Sequence, residues 1–136
     1  MAEQIEQFIE QVCAELELDL PKSEQKNVFS FQLRSDISVE IRYLHPGFSL
    51  FAMISPCPHV RKEDLFMELM RANHLGQLTG ANRIGLSPDE KFLTLSSAMP
   101  YEVNYRTFRD SLEDFVNFLV YWREEIKKHE LQQTIM

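Results

Sequence analysis

Two stretches of this chain place an apolar side chain at every second position, and they stand almost back to back. In NVFSFQLR, Phe29, Phe31 and Leu33 alternate with Ser30, Gln32 and Arg34; in DISVEIRY, Ile37, Val39, Ile41 and Tyr43 alternate with Ser38, Glu40 and Arg42. A period of two belongs to a strand with one covered face, whereas a helix turns about 100° per residue and would scatter these side chains round its axis. The link around Arg34 to Asp36 is too short for a crossover, so the two runs pair antiparallel as a hairpin. A hairpin with one apolar face needs further strands beside it and helices against it, and this demand shapes the rest of the fold.

His45-Pro46-Gly47 signals a turn into a third strand, FSLFAMIS. Phe48, Leu50, Ala52 and Ile54 continue the core face, but Phe51 and Met53 put apolar surface on the face that should be wet. A central strand covered on both sides accounts for this, and so does an exposed patch for a partner; at this point both stand. Ahead of the strands, Ile5, Phe8, Ile9, Val12, Cys13 and Leu16 recur at helical spacing over residues 3–18, and Pro21 ends that helix. Beyond Pro56 and Pro58, KEDLFMELMRANHL reads as a second helix with Leu65, Phe66, Leu69, Met70 and Asn73 on one face.

Gly76 and Gly80 lead into a strand over about residues 81–86, Ser87-Pro88-Asp89-Glu90 has type I turn chemistry, and FLTLSS returns as the partner strand. A long helix then runs to about His129, with Asn104 as N-cap and Val103 and Phe108 as a hydrophobic staple. Its inner stripe is Tyr105, Phe108, Leu112, Phe115, Val116, Leu119, Trp122 and Ile126. The fold class is therefore α+β: helix, three antiparallel strands, helix, two-strand hairpin, helix, with a twisted antiparallel sheet packed with helices. At 136 residues this is one domain, 1–136, with 130–136 as a frayed tail.

Catalytic and cofactor chemistry find no foothold. HLGQLTGANRIGLSPDEKFLTLSS is glycine-rich, but its glycines follow a helix and lead into strands, the reverse of a phosphate-cradling loop, and no Lys-Ser or Lys-Thr pair follows them. Glu40, Glu63-Asp64 and Asp89-Glu90 fall where a solvated charge is ordinary, and there is no nucleophile elbow. Cys13 and Cys57 are far apart, and His45, His59, His74 and His129 are scattered, so neither a metal site nor a cofactor is expected. The net charge of −7, with 14 Lys plus Arg against 21 Asp plus Glu, repels nucleic acid and suits a polypeptide partner. Apolar runs are short and the N-terminus is acidic and amphipathic, which predicts no membrane span, no signal peptide and a cytoplasmic protein.

LFMELMRANHLGQLTGANRIGLSPDEKFLTLSSAMP followed by FRDSLEDFVNFLVYWREEI resembles the class I type III secretion chaperones, the Tir chaperone (CesT-like) family. The resemblance implies a bacterial homodimer, or a heterodimer with a related chaperone, that is not an enzyme. It would bind the N-terminal segment of a secreted effector, keep it extended, and deliver it to the secretion machinery. It also implies a client groove on the first helix and first three strands, here Phe8, Val12, Val28, Phe31, Phe51 and Met53. The implied dimer surface is Leu65, Phe66, Leu69, Met70, Asn73, Arg83 and Ile84, although the apolar helix residues among these serve equally as monomer core. The same grooves would serve a regulator that captures an anti-activator, a sigma factor or another component of RNA polymerase. The C-terminal KKHELQQTIM lacks the strong acidity of many relatives.

Overall fold

The computed structural model describes residues 2–17, 22–25, 28–34, 36–43, 47–75, 82–99 and 104–135. Its elements are α1 (Ala2–Glu15), β1 (Lys22–Gln25), β2 (Val28–Arg34), β3 (Ile37–Tyr43), β4 (Phe48–Pro56), α2 (Lys62–Leu75), β5 (Arg83–Leu86), β6 (Phe92–Met99) and α3 (Tyr105–Ile135). The strands hydrogen-bond in the order β1-β2-β3-β4-β6-β5. This is the α+β arrangement that the alternation demands, with one strand more than it marks. The extra strand is β1, whose KSEQ is polar throughout; it exists because β2 offers an edge, on which Lys22 faces Ser30 and Gln25 faces Val28.

Two compact units share the chain, residues 1–52 with 98–113 and residues 53–97 with 114–136. In the first, the register sets Phe29 opposite Ile41 and Ile41 opposite Leu50, so one row of buried apolar side chains crosses three strands. Ring contacts join its elements: Phe8 of α1 lies 5.5 Å from Phe108 of α3, and Phe48 of β4 lies 5.8 Å from the same ring. Asn104 fixes where α3 begins, its Oδ1 accepting from the Thr107 N–H at 2.8 Å and its carbonyl from the Phe108 N–H at 3.0 Å. Val103, the other half of the expected staple, lies outside the described residues, as do His45, Pro46, Gly76 and Gly80. Gly47 opens β4 at φ 93°, a region that side chains with a Cβ avoid.

The second unit is built on α2, the β5–β6 hairpin and most of α3. Phe115, Leu119, Trp122 and Ile126 continue the stripe begun by Phe108 and Leu112, in alternating steps of four and three, and all six are buried. Helix α3 does not stop near His129 but continues to Ile135, through Glu130, Leu131, Gln132 and Gln133, residue types that cost a helix little. The turn forms as read: the Glu90 N–H donates to the Ser87 carbonyl at 2.8 Å, and Asp89 Oδ1 accepts from the Ser87 hydroxyl and the Lys91 N–H. Those two bonds, the hydroxyl first, hold the Asp89 carboxyl below its ordinary value.

Arg123 ties α3 to β4. Its Nε donates to the Ile54 carbonyl at 2.8 Å and its Nη2 to the Met53 carbonyl at 3.0 Å. Hydrogen bonds from a charged donor contribute about 1.5–3 kcal/mol each, less where water reaches them, so Arg123→Met is expected to cost about 2 kcal/mol in urea unfolding. A loss below about 0.5 kcal/mol would show that these carbonyls gain nothing over water.

Candidate functional site

The outward face of the sheet in the first unit is the first candidate surface. Cross-strand register lines up Val28, Arg42 and Ser49 in one row and Ser30, Glu40 and Phe51 in the next. Ser30 and Arg42 are exposed, while Val28, Glu40, Ser49 and Phe51 are half-buried. Glu40 Oε2 accepts from Arg42 Nε at 3.1 Å and Nη2 at 2.9 Å, and the guanidinium lies 4.9 Å from the centre of the Phe51 ring. Phe51 is thus neither core nor bare: the Arg42 guanidinium, itself bonded to Glu40, covers it in a contact worth about 0.5–1 kcal/mol at an exposed position.

The residues expected to line a client groove are not all on that face. Phe8 and Val12 are buried in the first unit, Val12 at 1% exposure, because the stripe of α1 that carries them is turned inward, with Phe8 against Tyr105 and Phe108 of α3. Phe31 sits in β2 opposite Val39, and its side chain lies outside the described residues. Val28 and Phe51 do share the outward face. Met53 belongs to the second unit, where its side chain is 49% exposed. The double-sided pattern of FSLFAMIS therefore resolves into an inward core row and an outward row that is partly open.

Helix α2 supplies the second candidate surface. Leu65 and Leu69 are buried, Phe66 and Asn73 half-buried, and Met70 is 70% exposed. Met67, which the inner-face pattern passes over, is 53% exposed. The signal for it was present: Leu65, Phe66 and Met67 are consecutive, and about 100° per residue cannot turn all three inward. Two exposed methionines one turn apart make a pliant apolar patch suited to another protein surface. On β5, Arg83 is exposed and Ile84 is buried. The half-buried Asn73 reaches β5 with both ends of its carboxamide, Nδ2 donating to the Ile84 carbonyl at 2.8 Å and Oδ1 accepting the Ile84 N–H at 2.9 Å.

Reactive groups do not gather on either surface. Cys13 and Cys57 are buried free thiols, and burial pushes the Cys13 thiol up, which keeps it protonated and apolar in behaviour. Among the described residues no three His, Cys, Asp or Glu side chains come together as metal ligands, and no helix is long and apolar enough to cross a membrane.

Comparison with solved structures places this architecture. The HopA1-SchA chaperone-effector complex contains a chain that superposes with a TM-score of 0.71 at 11% identity, covering 90% of this chain and 95% of its own. The ExsC-ExsE complex gives 0.77 at 13% identity, covering 91% and 94%. YbjN, a putative transcription regulator from E. coli, gives 0.67 at 14% identity, covering 91% and 92%. At these identities the likeness is one of fold. No curated protein sequence matches. The sequence pattern of the Tir chaperone protein (CesT) family matches residues 7–123, nearly the whole described core, so the chain belongs to that family and is a type III secretion chaperone.

Proposed function

We propose that the chain is a cytoplasmic, non-enzymatic chaperone that holds the N-terminal segment of a secreted effector extended against the outward sheet face of its first unit, and that it delivers the complex to the secretion machinery. The observation that carries this reading is the mixed character of that face. Val28 and Phe51 offer apolar anchorage among serine, glutamine, glutamate and arginine side chains, and the sheet ends in the edge strand β1, next to Val28 and separated from Phe51 on β4 by β2 and β3. An extended peptide needs those two things, backbone partners along an edge and pockets for alternate side chains. A second copy, or a related chaperone, is held through the exposed methionines of α2.

The test is capture by the tagged chain in its native bacterium, repeated with a Val28→Thr, Phe51→Thr variant. Threonine keeps the strand while removing the apolar anchorage, so the variant retains its circular dichroism and melts within a few degrees of the parent. The expected result is recovery of a secreted protein by the parent, lost when that protein lacks its N-terminal segment and reduced at least about tenfold in the variant. Undiminished capture by the folded variant removes this face from the reading. Recovery of a transcription factor or RNA polymerase instead of a secreted protein favours the regulatory alternative, for which the fold shared with YbjN is the supporting observation.

A further inference from the structure

The sheet order leaves two edges, β1 and β5, and an incoming strand could in principle be added at either. On β5 the direction of the backbone groups follows from the hairpin. The Ser87 N–H donates to the Phe92 carbonyl at 2.9 Å, so Ser87 faces β6; by alternation Leu86 faces away, Gly85 faces β6 and Ile84 faces away. The groups of Ile84 that face away are the two bound by the Asn73 carboxamide. An amide side chain carries a donor and an acceptor side by side, as a neighbouring strand does at each hydrogen-bonded residue. Asn73 thus stands in the place of a seventh strand at the middle of the β5 edge.

We propose that Asn73 is an edge-closing residue. By occupying Ile84 it leaves Leu86 without an adjacent free position, so no ladder can start at β5, and strand addition is directed to β1. A second copy that approaches α2 and β5 is then met by side chains and does not continue the sheet. That the strand added at β1 comes from an effector rests on the chaperone reading; the closure of β5 does not.

Backbone hydrogen exchange decides the matter without any client. It is measured in a Met67→Glu, Met70→Glu background, so that cover by a second copy contributes nothing. The Ile84 amide is expected to exchange at least about tenfold more slowly than the Leu86 amide, its outward neighbour. In N73A the Ile84 rate rises to that of Leu86 while the Gly85 amide, bonded within the hairpin, is unchanged. In an otherwise parental background, N73A also forms species larger than those of the parent at equal concentration in sedimentation velocity. Equal rates for Ile84 and Leu86 in the starting protein overturn the proposal, as does a folded N73A whose Ile84 amide keeps its protection. If N73A does not fold, N73D decides: it keeps the acceptor for the Ile84 N–H, so protection persists there, and exchange at the Leu86 rate overturns the proposal equally.

Discussion

A Met67→Glu, Met70→Glu variant is expected to stay folded and to run at the monomer mass at concentrations where pairing through α2 would give the parent chain a dimer. Both side chains lie mostly in solvent, at 53% and 70% exposure, so glutamate there breaks no packing within the monomer and adds a good helix former. In a two-fold pair each contact occurs twice. Even at about 1 kcal/mol for each of four methionines, below the ordinary value for a buried side chain, the affinity falls about a thousandfold. Light scattering gives the mass, and melting curves at a concentration below the pairing range show whether the fold is intact. A parent that is monomeric at every concentration, with no related chaperone bound, or a variant that still pairs, rules out α2 as the pairing surface.

Phe108→Ala has the opposite signature, a loss of fold with no selective effect on pairing. Phe108 has no solvent exposure and touches the rings of both Phe8 and Phe48, so truncation leaves a cavity flanked by α1 and β4. Replacing a buried phenylalanine by alanine costs about 3–5 kcal/mol, a large part of the about 5–15 kcal/mol that holds a domain of this size together. The melting temperature is expected to fall by at least about 10 °C. A drop of less than about 3 °C would mean that the first unit does not depend on this ring cluster.

The alternation in NVFSFQLR and DISVEIRY could be read without coordinates because a period of two admits only one local geometry, and Asn104, Ser87 and Asp89 declared their cap and turn through side-chain oxygens. Strand β1 could not be read, since KSEQ has no apolar residue to alternate and owes its conformation to the edge of β2. For the site, a pattern can say that a residue is apolar but not which of two apolar surroundings it joins. Phe8 and Val12 went to the core while Met67, hidden by an inner-face reading of α2, went to solvent. Asn73 is the sharper case. Its place on an otherwise apolar helix face was visible, but the backbone it clamps lies on β5, and only the fold brings the two together.

The first unit is made of residues 1–52 and 98–113, with the hairpin and α2 of the second unit intervening in the chain. During synthesis this order means that Phe8 and Phe48 leave the ribosome well before Phe108, the ring on which both rest. At about 5–20 residues per second the nascent chain spends several seconds with that apolar surface uncovered. A protein whose task is to shield segments of other chains thus passes through an interval in which its own N-terminal half is the segment that needs shielding.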